Sequence, residues 1–177
     1  MKKVFIFPFL LLLFSQCGED EYVPPKELPP ITTTGENTFA CKINGENWQV
    51  GQKNTGPDLR VDASIGDAFV VYASNDDSNE VISLWIPIEA IDGQAINMNW
   101  PPPPPTLSVS QYTSGNECEE FGLSADEYAM SGTLQVVHYE WLDNYYRVIS
   151  GTFEFTFYNL VCGDTTRITD GRFDIRF

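Results

Sequence analysis

Phe153, Phe155 and Phe157 alternate with Thr152, Glu154 and Thr156, and Phe173, Ile175 and Phe177 alternate in the same way with Arg172, Asp174 and Arg176. A period of two puts every apolar side chain of such a run on one face of a strand and every polar one on the other, whereas a helix would scatter them around its circumference. The same alternation begins at Phe39, with Phe39, Cys41 and Ile43 facing one way, and after Asn44-Gly45 it resumes at Glu46–Val50. Asn-Gly between two alternating runs is a strong hairpin signal, because both residues tolerate the positive φ that a type I′ turn requires. Further strands are expected at Leu59–Ile65, Ala68–Ala73, Glu80–Ile88, Leu134–Trp141 and Tyr145–Ile149. Only Ser124–Ala129 offers a helical turn, with Ser124 as N-cap and Glu127 at the capping-box position. Strands this short and frequent, separated by turn residues, predict an all-β fold, a single antiparallel β-sandwich or small barrel-like domain of about 8–10 strands.

That domain is expected to span 38–177, close to the commonest domain size. Ahead of it, residues 18–37 carry Pro24-Pro25, Pro29-Pro30 and a Thr-rich stretch with no apolar period, the composition of a semi-rigid tether. The first sixteen residues join Lys2 and Lys3 to an apolar run, Val4–Phe14, that is too short to cross ~30 Å of hydrocarbon. Ser15-Gln16-Cys17 follows. The segment resembles a bacterial lipoprotein signal, which implies cleavage after residue 16, lipidation of Cys17 and a tether over 17–37. Three acyl chains, at ~0.8 kcal/mol per buried methylene, make a stable membrane anchor. Glu19-Asp20-Glu21 resembles the surface-export signal of certain Gram-negative lipoproteins, implying an outer-membrane protein exposed on the cell exterior; a solvated acidic tether has the same composition.

Loss of residues 1–16 leaves 8 basic residues against 25 acidic ones and takes the formal charge from −15 to −17. Such a chain repels nucleic acid, and no nucleic-acid partner is expected.

Thr38–Trp48, Ile149–Thr156 and Ile168–Asp174 together resemble the opening and closing strands of a family of small, uncharacterised bacterial surface lipoproteins. The resemblance implies an all-β domain and assigns no activity, cofactor or site residue.

With Cys17 lipidated, Cys41, Cys118 and Cys162 remain, in a compartment where disulfides persist. Cys41 stands in strand alternation, the position of a buried free thiol. Cys118 and Cys162 lie in polar turn regions and are the favoured disulfide, other pairings remaining open. No metal site is expected from the thiols. Asp76, Asp77 and Glu80, in an oxygen-rich turn, are a calcium candidate, although a polar hairpin tip has the same composition.

The chain has one histidine, His138, inside a strand pattern, which reads as a structural or solvent-facing residue. Nucleophile elbow, phosphate loop and dinucleotide fingerprint are all missing from the sequence, so no catalytic residue and no cofactor is assigned. Trp48, Trp85 and Trp141 read as core, while Trp100 (before five prolines), Tyr112, Tyr145 and Tyr146 fall near turns and are the candidate ligand-facing aromatics. The expected function is therefore a non-enzymatic, lipid-anchored surface domain that binds or supports a glycan, peptide or envelope protein. A small glycan hydrolase using two carboxylates is the enzymatic alternative. A β protein inserted into the outer membrane is a second alternative, suggested by the alternating C-terminus that ends in Phe177.

Overall fold

The computed structural model describes residues 23–51, 58–65, 68–88, 91, 93, 96–99, 111–113, 126–158, 163 and 165–177. Ten strands run through them: β1 (Thr38–Ile43), β2 (Glu46–Gln49), β3 (Leu59–Ile65), β4 (Ala68–Asn75), β5 (Glu80–Pro87), β6 (Ile96–Asn99), β7 (Gln111–Thr113), β8 (Asp126–Trp141), β9 (Arg147–Tyr158) and β10 (Thr165–Arg176). All pairings are antiparallel. A five-stranded layer in the order β2-β1-β10-β9-β8 faces a three-stranded layer, β5-β4-β3, and short β7 joins them by pairing with β5 on one side and β8 on the other. β6 pairs with β8 beside β7. The fold is all-β and antiparallel, as expected of a sandwich or small barrel-like domain.

Local chemistry explains the opening hairpin. Asn44 and Gly45 both take positive φ (52° and 93°), so Cys41 pairs with Trp48 and Ile43 with Glu46. The polar turn between β4 and β5 is closed by Asn75, whose Oδ1 accepts hydrogen bonds from the backbone N–H of Asp77 and Ser78. Inward-facing residues of both layers form one core: Phe39, Trp48, Phe153, Phe155 and Phe173 from the first, with Val71, Ala73, Ile82, Leu84 and Ile86 from the second. Phe69 on β4 reaches across to Tyr139 and Phe177, at ring separations of 5.8 and 5.7 Å. Each such side chain contributes roughly 1.5–3 kcal/mol on burial.

Three glycines make room for the large rings of this core. Gly132 is paired with Phe155, Gly151 with Phe173 and Gly171 with Phe153. A Cβ on Gly151 would lie 2.5 Å from both the Phe173 ring and the Gln135 carbonyl oxygen. Strand β9 therefore runs unbroken through Ser150-Gly151 as one 12-residue strand, where the sequence pattern suggested two shorter runs.

The structure departs from the sequence reading at two further places. Asp126–Ala129, part of the expected helical turn, is the first stretch of β8, paired with β7 and β9. The capping pattern is local, and the long-range pairing overrides it. The described part of the tether is not a free stalk either. From Pro25 to Asn37 it is a strap laid on the outer face of the five-stranded layer. Asn47 Nδ2 donates to the carbonyls of Pro25 and Lys26, Arg172 donates to the Pro29 carbonyl, and Asn37 Oδ1 accepts from the Arg176 N–H. The main fastening is Asp174, 1% exposed. Its carboxylate accepts hydrogen bonds from Thr32 Oγ1 (2.7 Å), the N–H groups of Thr34, Gly35 and Glu36, and Ser150 Oγ (2.6 Å).

Candidate functional site

Strands β8 and β9 end at the pair Trp141–Arg147, and the five residues Leu142–Tyr146 turn the chain between them. The turn is held by its own polar groups. Leu142 N–H donates to the Tyr146 carbonyl at 2.9 Å, and Asp143 Oδ1 accepts from the N–H of Tyr145 (2.7 Å) and of Tyr146 (2.9 Å). An aspartate that bonds the backbone two and three residues on mimics a backbone turn and fixes its shape.

This turn carries the densest group of exposed apolar side chains among the described residues. Tyr145 is 85% exposed, Trp141 52%, and Leu142 and Tyr146 46% each. Two arginines stiffen the rings from beneath. The Arg147 guanidinium lies 3.7 Å from the Trp141 ring centroid, and that of Arg176 lies 4.4 Å from the Tyr146 ring. Each stack is worth ~0.5–1 kcal/mol at an exposed site. Isolated apolar side chains on a surface are ordinary, whereas several exposed aromatics on one fixed turn make a candidate interaction site.

Of the aromatics expected to face a ligand, Tyr145 and Tyr146 are brought together here. Tyr112 lies on β7, paired with Glu127 at the opposite end of β8 from the turn, and Trp100 lies outside the described residues. Trp141 belongs to the site although its alternation suggested the core. Its face was read correctly, since it lies two residues beyond Tyr139, which packs on the core. In the structure the ring is half-exposed and stacks on the Arg147 guanidinium. Trp48 is buried as expected, and Trp85 is half-buried.

The hairpin tip sits at the far end of the sheet from the strap's beginning. The strap starts beside Asn47, near the β1–β2 turn, where Ile43 pairs with Ile168; the tip adjoins Arg176, which pairs with Val148. The stretch of β10 between Ile168 and Arg176 separates the two ends by about 25 Å at ~3.3 Å per residue.

The remaining candidates fall elsewhere. Asp76, Asp77 and Glu80 do not form a metal cluster: among the described residues no group of three or more His, Cys, Asp or Glu side chains comes together to hold an ion. In that turn the Asn75 oxygen serves the backbone instead. His138 Nε2 lies 3.4 Å from Glu140 Oε2 on β8. Cys41 is a buried free thiol, pushed well above its usual ionisation range first by burial and then by the charge of Glu80. Cys17, Cys118 and Cys162 lie outside the described residues.

Among the described residues two carboxyls are displaced in their ionisation, and both move down. Burial pushes Asp174 up, but the hydrogen bonds from Ser150, Thr32 and the backbone of Glu36 and Gly35 outweigh it and hold the group below the usual range. Asp170 is lowered by the hydrogen bond and charge of Lys42, at 2.7 Å. A glycosidase general acid needs the opposite displacement.

No protein-family model, curated protein or solved structure matches the chain.

Proposed function

We propose that this chain is a lipid-anchored, surface-displayed binding protein that engages a protein partner through the aromatic β8–β9 tip. The observation that carries this reading is the exposure of Trp141, Tyr145 and Tyr146 on a turn whose backbone Asp143 fixes, with the Trp141 and Tyr146 rings stacked by Arg147 and Arg176. Tryptophan, tyrosine and arginine dominate the energetics of protein interfaces, and rings already held in place lose little entropy on binding. The tip is a projecting hairpin end, which suits insertion into a groove on a partner better than enclosure of a small molecule.

The anchor reading rests on Lys2–Cys17 and on the likeness of Thr38–Trp48 and the closing strands to small bacterial surface lipoproteins. Docking of the strap gives the anchor a consequence. A chain tied to lipid at Cys17 enters the body near Asn47, so the tip points away from that membrane and toward whatever lies outside. The arrangement of side chains favours this reading over an inserted barrel: the apolar residues fill an interior core, while the outer face carries Gln135, Glu154 and Arg172, the reverse of a lipid-facing band.

The test is site-specific photo-crosslinking in the native host, with a crosslinking residue at position 145 and, as control, at position 44 on the opposite pole. Discrete adducts from position 145 that are absent from position 44 are expected. Equal adduct patterns from the two positions would refute the assignment.

A further inference from the structure

A second surface, independent of the tip, is built on the outer face of β8, β9 and β10 where the strap leaves it uncovered. Two depressions of about 330 Å³ each lie side by side and share Glu154. One is lined by Thr156 and Arg167, the other by Thr133, Thr152, Arg172 and Asp170, the last paired with Lys42 at 2.7 Å, with Ile31 of the strap as a wall. Each is at the lower end of the volume range of ligand sites.

The lining is set by cross-strand register. Thr133 pairs with Glu154, Thr156 with Arg167 and Thr152 with Arg172, so hydroxyls alternate with charges over three strands. Thr133 Oγ1 donates to Glu154 Oε1 at 3.4 Å. Arg167 is fixed at its backbone by Asn44, whose N–H donates to the Arg167 carbonyl and whose Oδ1 accepts from the Arg167 N–H. Its guanidinium has no partner among the described residues and makes no ion pair with Glu154 across the depression. Arg172, by contrast, is satisfied by the carbonyls of Pro29 and Asp170. An uncommitted cation on a chain of net charge −15 is a locally complementary site for an anionic group.

We propose that this face binds a segment of carboxylated polysaccharide, with a sugar carboxylate on Arg167 and sugar hydroxyls on Glu154 and the flanking threonines. A peptide strand is a poorer occupant. β9 and β10 are interior strands, paired on both sides, so they offer no free edge for strand addition. The floor presents hydroxyl, carboxylate and guanidinium groups, and their spacing along the pleat suits a ligand that carries hydroxyls at every unit.

Affinity electrophoresis of the full-length protein in detergent tests this, with polygalacturonate as the uronate polymer, dextran as the neutral one and polyglutamate as the acidic peptide. Retardation by polygalacturonate is expected, at least tenfold stronger than by dextran or polyglutamate. Arg167→Ala should weaken it at least tenfold. Arg60→Ala, which removes the same charge from the other layer, should leave it unchanged. No retardation by polygalacturonate would overturn the proposal. Equal retardation by dextran would remove the role of the carboxylate, and equal retardation by polyglutamate would reduce the site to a general polyanion patch. An Arg60→Ala loss equal to that of Arg167→Ala would likewise overturn it.

Discussion

Asp174→Asn removes the charge on which the strap is fastened while leaving the side chain nearly the same size. The carboxylate accepts from two hydroxyls and three backbone N–H groups at 2.6–3.1 Å, and the residue is almost wholly buried. A hydrogen bond to a charged group is worth ~1.5–3 kcal/mol net, and a donor stranded in the interior costs ~1–3 kcal/mol. The asparagine keeps one acceptor oxygen but turns an NH₂ toward donors. The loss is not the sum of five bonds, because the strap can peel away and hydrate its own backbone. We expect about 2–4 kcal/mol, or a fall in melting temperature on the order of 10 °C for a domain of this size. Chemical denaturation reads the stability, and hydrogen exchange reads the amides of Thr34, Gly35 and Glu36, which should lose protection ahead of β10. The pH dependence follows from the lowered pKa. The contribution of Asp174 is fully present above the unfolded carboxyl value of ~3.9 and is lost as pH falls through the lower folded value, so the wild type should weaken below about pH 4 and the variant less so. A stability change under ~0.5 kcal/mol, with the three amides still protected, would refute the strap's dependence on this carboxylate.

Gly151→Ala should cost about 3 kcal/mol or more, because its Cβ meets a carbonyl oxygen as well as the Phe173 ring and the strand backbone cannot yield; a loss below ~1 kcal/mol would contradict the packing described. Cys41 should resist alkylation in the folded protein and react only at the rate of global unfolding, since burial and Glu80 both disfavour its thiolate; rapid labelling at pH 8 would show the opening hairpin to be loose. Non-reducing peptide mapping of the exported protein should give one crosslink, Cys118–Cys162, contributing roughly 3–4 kcal/mol through closure of a long loop. A crosslink containing Cys41 would contradict its place in the core.

What was legible in the sequence is what local chemistry decides. The type I′ turn at Asn44-Gly45, the face alternation of β1 and β10, and the buried thiol at Cys41 depend on residues close together in the chain. What was not legible depends on partners far away. The strap has the composition of a linker, and nothing near Thr32–Glu36 announces Asp174, about 140 positions on. Trp141 alternates like a core residue because alternation reports the face of a strand and not whether another layer covers that face. Gly151 resembles a strand break until Phe173 is seen to fill the space above it. The Ser124–Ala129 pattern satisfies a helix cap locally, yet its described part, Asp126–Ala129, pairs into β8. Tyr145 and Tyr146 are exposed, as residues near a turn are expected to be; Arg147 and Arg176, which stack on Trp141 and Tyr146, leave no separate mark in the pattern.

The proposed binding role requires that Trp141 and Tyr145 be exposed for a partner and not for folding. The direct measurement is the double variant Trp141→Ala/Tyr145→Ala, followed both for thermal stability and for adducts from a photo-crosslinking residue at position 144. A melting temperature within a few degrees of wild type is expected, because exposed rings contribute little to the core, together with loss of the adducts. A large fall in melting temperature with the adducts retained would show that the tip's aromatics are structural and that the partner binds elsewhere.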